Sequence, residues 1–240
     1  MKRLLPGLLL LLSTLSPSFG QSPVQAEASL IVSSAYLWRG EKVCGFHLQP
    51  GAAIKIGRFT IENSDYISLD GKYQEVDLGV SYSFGELSVH LADYYSHTEG
   101  GAYDSGFFNW QKHSTCHTDE FALVYSGSHI PLKARWFTFF WGDWLPDAAG
   151  RRGELSLSSY FELEAFHTMG DFGTMSAVLG TSVGKGPYTS YTEDIMPILA
   201  GLYYTKTFEA SGVRFPLKAS IVLNPYNRNC FAGVSAGIAF

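Results

Sequence analysis

Residues 74–84 read Gln-Glu-Val-Asp-Leu-Gly-Val-Ser-Tyr-Ser-Phe, and apolar and polar side chains alternate along the whole stretch. Because successive side chains of a β-strand point to opposite faces, this alternation predicts a strand with one apolar face and one polar face. The stretch is also longer than the usual strand of a soluble domain, and it is long enough to cross a bilayer at a tilt. It therefore favours a membrane-spanning sheet.

The same pattern recurs along the chain and ends at the C-terminus, where Val234, Ala236, Ile238 and Phe240 share one face. Aromatic residues make up 15% of the sequence and lie mainly in these alternating segments, as in transmembrane barrels. The twelve predicted strands cover residues 28–39, 45–56, 58–69, 74–84, 86–97, 117–126, 131–142, 153–166, 174–184, 195–208, 213–224 and 229–240.

Long and short connections alternate between these strands. The long ones include residues 98–116, 143–152 and 185–194, whereas those between are mostly tight turns rich in glycine. Outer-membrane barrels sort their loops in this way, with short periplasmic turns and long external loops. Since an open sheet edge cannot be hydrogen-bonded in lipid, the first strand must pair with the last. We therefore predict an all-β fold: a transmembrane antiparallel β-barrel of about twelve strands.

An export signal precedes the barrel. Lys2 and Arg3 are followed by a mainly apolar stretch, residues 4–15, which is too short to span a bilayer as a helix. We predict a removable signal peptide over residues 1–20, with cleavage after Ala26 as the alternative, and a single barrel domain over 21–240. The net charge then falls from −5 to −7, because both removed charges are positive. Without a basic stripe, nucleic acid is not a predicted partner.

The polar faces predict what the barrel encloses. Charged side chains avoid lipid, so they should line the lumen. The predicted lumen residues are Arg39, Glu75, Asp77, Glu86, His90, Glu120, Lys133, Arg135, Glu162, Glu164 and Lys218. This set favours porin-like passage of small polar solutes across the outer membrane of a Gram-negative-type bacterium. The alternative is a non-conducting structural or surface-interaction barrel, in which the same charges pair and plug the lumen.

Three cysteines remain in the exported chain. Cys44, Cys116 and Cys230 are candidates for one disulfide with a spare thiol, and the sequence does not choose the pairing. A less favoured alternative is a zinc site, for which Cys44 and His47, together with His113, Cys116 and His117, could supply four tetrahedral ligands. We predict neither a metal site nor a cofactor.

An outer-membrane lipid hydrolase is the third hypothesis. Ser88 and His90 share one face of a predicted strand, and Glu120 lies on the next strand. A nucleophile and its base must lie within hydrogen-bond reach, which this spacing permits. Ser, His and Glu at alternating lumen positions are also ordinary polar residues of a barrel interior, so we do not predict an enzyme.

Aromatic residues near the predicted strand ends suggest interfacial girdles, in which rings lie at the level of the lipid headgroups. The predicted girdle residues are Tyr36, Trp38, Tyr94, Tyr95, Trp136, Phe140, Trp141 and Trp144. Phe107, Phe108 and Trp110 in the longest loop could instead form a carbohydrate-binding platform.

Several short motifs carry a family resemblance. Ser34-Ala-Tyr-Leu-Trp-Arg-Gly40 is followed by Gln49-Pro50, and Asp93-Tyr-Tyr95, Tyr160-Phe-Glu162 and Asn224-Pro225 occur later. In these motifs the chain resembles a family of uncharacterised outer-membrane β-barrels of Bacteroidota that is related to candidate porins. The resemblance spans nearly the whole mature chain. It implies an outer-membrane location and a pore, and it supplies no catalytic residue.

Overall fold

The computed structural model describes residues 24–100 and 106–240. The predicted signal peptide, residues 1–20, lies outside these ranges. Twelve long strands form one closed antiparallel barrel, which confirms the predicted fold class. They are β1 (Val24–Ser33), β4 (His47–Ile56), β5 (Phe59–Ser68), β6 (Tyr73–Phe84), β7 (Leu87–Thr98), β8 (His117–Ser126), β9 (Leu132–Trp141), β12 (Ser159–Thr168), β13 (Thr174–Val183), β14 (Ile195–Ala210), β15 (Val213–Asn224) and β16 (Asn229–Ala239).

Four short strands lie outside the barrel wall. They form two hairpins, β2 (Tyr36–Trp38) with β3 (Glu41–Cys44), and β10 (Trp144–Pro146) with β11 (Arg152–Leu155). Short 3₁₀ turns occur at Gly170–Phe172 and Pro187–Thr189. Among residues 24–100 and 106–240, no helix is long and apolar enough to cross a membrane.

The first and last wall strands close the barrel. β1 pairs with β16 from Ser29 opposite Ala239 to Ser33 opposite Ser235. On its other side β1 pairs with β4 over ten residues, down to Ser33 opposite His47. Closure leaves the twelve described wall strands without an unpaired edge, which is what a sheet in lipid requires.

Two predicted strands are wrong in their extent. The predicted strand over residues 28–39 leaves the wall after Ser33, because residues 34–46 turn away as the β2–β3 hairpin. The predicted strand over 153–166 is likewise divided into β11 and β12. In both cases the alternation of apolar and polar residues continues into the hairpin, so the pattern does not mark the departure from the wall.

The outer face of the barrel is largely apolar. Its exposed large side chains include Leu30, Ile54, Ile61, Leu78, Leu91, Leu123, Leu179, Leu202, Ile221 and Val234. Asn63 and Asp65 interrupt this surface on β5, where the Asn63 amide donates to the Asp65 carboxylate over 2.8 Å. An exposed apolar belt around a closed sheet is the arrangement of a protein that faces hydrocarbon.

Candidate functional site

The β2–β3 hairpin folds into the barrel lumen from the end that carries the long connections, which we call the external end. Its two-residue turn is Arg39-Gly40, and both residues have positive φ, 46° and 89°. Such turns suit the twist of a hairpin and favour Asn-Gly or Gly-Gly. Arg39 is therefore an unfavourable residue in a left-handed conformation, and tertiary contacts must hold it there.

Arg39 is held by a buried carboxylate. Its two terminal nitrogens donate to Glu120 on β8 over 2.6 and 2.8 Å, and one of them also donates to the Tyr188 hydroxyl. The Tyr94 hydroxyl donates to Glu120 over 2.9 Å. The side chains of Arg39 and Glu120 are only 7% and 2% exposed, so this is a fully desolvated, bidentate ion pair.

Aromatic rings enclose the guanidinium of Arg39. Its central carbon lies 4.7 Å from the ring centroid of Trp38, 4.2 Å from that of Phe137 and 4.9 Å from that of Tyr160. A weakly hydrated guanidinium stacks well on such faces. Tyr160 belongs to a buried apolar cluster, and Trp38 and Phe137 pack against it. The cluster consists of Phe139, Tyr160, Val178, Tyr188, Ile198, Leu199 and Val222.

Two further contacts fix the hairpin. The Tyr36 hydroxyl donates to Glu75 over 2.7 Å, and its ring stacks on Tyr66 with centroids 3.9 Å apart. On β3, the Glu41 carboxylate accepts hydrogen bonds from the side-chain amides of Asn224 and Asn227, over 2.6 and 2.5 Å. The hairpin is thus tied to β5, β6 and β8 and to the turn between β15 and β16.

The close packing around Gly40 leads to a first prediction. A Cβ atom on Gly40 would lie 1.9 Å from the carbonyl oxygen of Ile198, so we expect Gly40→Ala to displace the hairpin and lower the free energy of unfolding. A non-glycine residue at positive φ alone costs about 1–3 kcal/mol. The control is Gly71→Ala, which has φ +75° and open space around it. Urea unfolding of the two variants separates the effect of the clash from the backbone penalty. Equal losses of unfolding free energy in the two variants would contradict the predicted clash at Gly40.

Two cavities inside the barrel border the hairpin. The external one measures about 300 Å³, and the second, between the hairpin and the wall, measures about 180 Å³. Among residues 24–100 and 106–240, Tyr36 is the one that lines both. It therefore separates the two spaces.

Below the hairpin, the wall carries a charged network. Arg135 on β9 donates to Glu162, and to Glu164 over 2.5 Å, both on β12. The ammonium of Lys133 lies 3.9 Å from Glu164, and that of Lys218 lies 4.9 Å from the ring centroid of Tyr203. Both signs of charge thus line this part of the lumen.

The register of the strands places most of the predicted lumen residues. Ten of the eleven face the interior: Arg39, Glu75, Asp77, His90, Glu120, Lys133, Arg135, Glu162, Glu164 and Lys218. Glu86 does not, because β6 ends at Phe84 and Glu86 lies in the following turn. There its carboxylate accepts a hydrogen bond from the Ser128 amide over 2.7 Å.

The proposed zinc ligands are on opposite sides of the wall. His47 faces the lumen beside Tyr36 and Tyr66. His117 faces outward, where Nδ1 lies 2.9 Å from Asp93 and the ring stacks on Trp110 with centroids 3.9 Å apart. They cannot share a metal, and residues 24–100 and 106–240 hold no cluster of three metal-binding side chains.

The cysteines are thiols rather than disulfides in the structure. Cys44 lies on the inward hairpin opposite Tyr36, whereas Cys230 lies on β16 opposite Leu223 of the outer face. The wall between these two positions accounts for the absence of a bond between them.

The structure brings together two of the three residues of the hydrolase hypothesis. The Ser88 hydroxyl and His90 Nε2 lie 2.8 Å apart. Glu120 is committed to Arg39 and Tyr94 instead, so it does not orient His90.

The aromatic girdle is partly wrong. Tyr36, Trp38 and Tyr94 lie inside the barrel, because residues 34–46 fold inward and Tyr94 has the parity of Glu120. Trp136 and Phe140 are on the outside and about two-fifths exposed. Phe107 and Trp110 pack against His117 and the outer wall, whereas Phe108 is exposed.

Asp143 and Tyr191 of the external cavity are among the lining residues that were not predicted from the sequence. Asp143 accepts hydrogen bonds from the Ser158 hydroxyl over 2.5 Å and from the Tyr191 hydroxyl over 3.0 Å. Burial raises the pKa of Asp143, and these hydrogen bonds offset part of the rise. Both Asp143 and Tyr191 lie in external connections, where no periodic pattern indicates which side chains turn inward.

The closed sheet, apolar exterior and charged interior define a transmembrane β-barrel with an internal hairpin. The chain is similar in architecture to OccAB3 of Acinetobacter baumannii (9% identity, TM-score 0.37) and OccK8 (OprE) of Pseudomonas aeruginosa (11% identity, TM-score 0.36). It is also similar to the translocator domain of the autotransporter NalP from Neisseria meningitidis (12% identity, TM-score 0.38).

These likenesses cover 94%, 88% and 98% of this chain. The chain spans only 65% of the length of OccAB3 and 61% of that of OccK8, against 94% of the NalP domain. At these scores the likeness says nothing about function. No protein-family model and no curated protein matches the sequence.

Proposed function

We propose that this protein is a porin-like barrel that passes small polar solutes across the outer membrane of a Gram-negative-type bacterium. The observation that carries the proposal is a closed barrel with an apolar exterior and charges of both signs inside. Charged groups cannot be left in lipid, but they can line an aqueous path and select what moves along it. Outer-membrane lipid and small polar solutes are its proposed partners.

In this proposal the β2–β3 hairpin constricts the path. Solute would pass from the external cavity to the second cavity, beside Lys218. The side chain of Tyr36 lies between these two cavities. A short solute path with one aromatic barrier gives a small conductance, and removal of that barrier should enlarge it.

Planar-bilayer recordings with the pure, refolded full chain test the proposal. We expect discrete channel events for the unmodified protein and a larger conductance for Tyr36→Ala. The matched control is Tyr82→Ala on the lipid-facing wall, where Tyr82 is 39% exposed; this variant should conduct like the unmodified protein. Absence of events from folded, inserted protein would overturn an open pore.

A specific observation favours a second candidate, a non-conducting surface barrel. Arg39, Glu120 and the rings around them are packed as a protein core is packed, and not as the wall of a wide channel. This candidate predicts stable insertion into bilayers without solute flux. Liposome swelling in small sugars and amino acids distinguishes the two, since only the first gives swelling.

Membership of the Bacteroidota barrel family remains a proposal that rests on the short sequence motifs alone. We also propose that the protein is not an enzyme. A lipid hydrolysis activity that Ser88→Ala abolishes would overturn that view.

A further inference from the structure

The external cavity has an unusual lining for a space within a protein. Six aromatic rings face it: Tyr36, Trp38, Tyr73, Tyr94, Phe139 and Tyr191. Two carboxylates, those of Glu75 and Asp143, complete the walls, and none of the lining residues is basic. At about 300 Å³, the space is at the lower end of the volumes that hold small ligands.

The donors that surround these carboxylates orient them without neutralising them. The two oxygens of Glu75 accept from the hydroxyls of Tyr36 and Tyr73. Those of Asp143 accept from Ser158 and from the hydroxyl of Tyr191. Because all of these donors are uncharged, each carboxylate is fixed in position and adds negative potential to the cavity.

A third acidic side chain lies close to Glu75. Asp77 is the next inward residue after Glu75 along β6, and its Oδ1 atom is buried without a hydrogen-bond partner among the described residues. Arg39, which also enters the lumen, is bound to Glu120. Its guanidinium is therefore not free to pair with Asp77, and a buried polar oxygen without a partner is costly.

Two kinds of interaction would stabilise a cation in this cavity. Carboxylates attract its charge, and the faces of Tyr and Trp rings attract it through their quadrupoles. The alkyl groups of an organic ammonium ion hold water weakly, so aromatic walls replace its hydration well. The same walls offer little to a strongly hydrated inorganic ion. An anion would be repelled, and a neutral sugar would gain from the rings but not from the charges.

From these contacts we infer that the external cavity binds a small organic ammonium ion. The inference deepens the proposed function, because it names the class of solute that the barrel takes up at its external end. Binding of the ion does not require the proposed passage; only its subsequent transport through the barrel does.

Calorimetric titration of the refolded full chain in detergent micelles with choline chloride tests the inference. We expect saturable binding of choline, and no binding of sodium acetate or glucose at the same concentrations. Glu75→Gln and Asp143→Asn should each weaken choline binding about tenfold, in line with the loss of one charge-assisted contact. The matched control is Glu62→Gln, since Glu62 faces the lumen on β5 beside Gly79 and outside the cavity.

The outcomes separate the inference from the proposed passage. Choline binding without channel events would retain the inference and overturn the passage. Channel events without choline binding, or equal binding of glucose, would overturn the inference. If Glu75→Gln does not fold, as judged by its heat-dependent mobility in detergent gels, Asp143→Asn decides, because Asp143 lies in a connection outside the barrel wall.

Discussion

Replacement of residues 34–46 by an Asn-Gly turn will open the lumen and raise the single-channel conductance several-fold. Ser33 and His47 are directly opposite each other in the β1–β4 pair, so a two-residue turn can connect them without altering the wall. The replacement removes the ring of Tyr36, the Arg39–Glu120 pair and the apolar contacts of Leu37 and Trp38 with the core. Water would then fill the external half of the barrel.

The control for this variant is the same Asn-Gly replacement of residues 69–72. These residues form the exposed turn between β5 and β6 at the same rim, and we expect their replacement to leave the conductance unchanged. Circular dichroism and heat-dependent gel mobility establish that both variants form barrels. A folded hairpin-deleted barrel with unchanged conductance would show that the hairpin does not obstruct the path.

Arg39→Ala has the second-largest expected effect, on stability. It leaves the carboxylate of Glu120 buried and without its cation, and breaking such a pair typically costs about 3–5 kcal/mol. The Tyr94 hydroxyl remains as a donor to Glu120, and it supplies no charge. We therefore expect a large decrease in the urea midpoint of Arg39→Ala.

A double-variant cycle checks the cause. Arg39→Ala combined with Glu120→Ala removes both charges, so it should recover part of the stability that Arg39→Ala loses. Arg151→Ala is the matched control, because Arg151 forms an exposed pair with Asp147 and is 78% exposed; it should leave the midpoint unchanged. A double variant less stable than Arg39→Ala would show that the Glu120 carboxylate is not the source of the loss.

The barrel wall was predictable from the sequence because its physical cause is local. Each wall strand separates a lipid face from a lumen face, so alternation such as that of residues 74–84 reports both the strand and the inward residues. The same parity places Arg135 opposite Glu162. Glu86 was misplaced because alternation does not mark where the turn ends and β7 begins, at Leu87.

The hairpin was not predictable in this way. Tyr36 and Trp38 continue the alternation of the first strand, although the chain has already left the wall at Ser33. The partner of Arg39 is Glu120, which lies 81 residues further along the chain, and no local pattern relates the two. The one local signal is the Arg39-Gly40 pair, which indicates a turn. The sequence alone could also assign that turn to the rim of the barrel.

The contact of Glu41 with Asn224 and Asn227 has a consequence for the order of assembly. The hairpin follows the first strand, yet Asn224 is the last residue of β15 and Asn227 lies in the turn that joins β15 to β16. Those two strands also complete the seam, where β16 meets β1 over five residue pairs. The interior is therefore fully anchored only as the seam forms, so an incomplete chain that stops before residue 224 would carry its N-terminal hairpin without this tether.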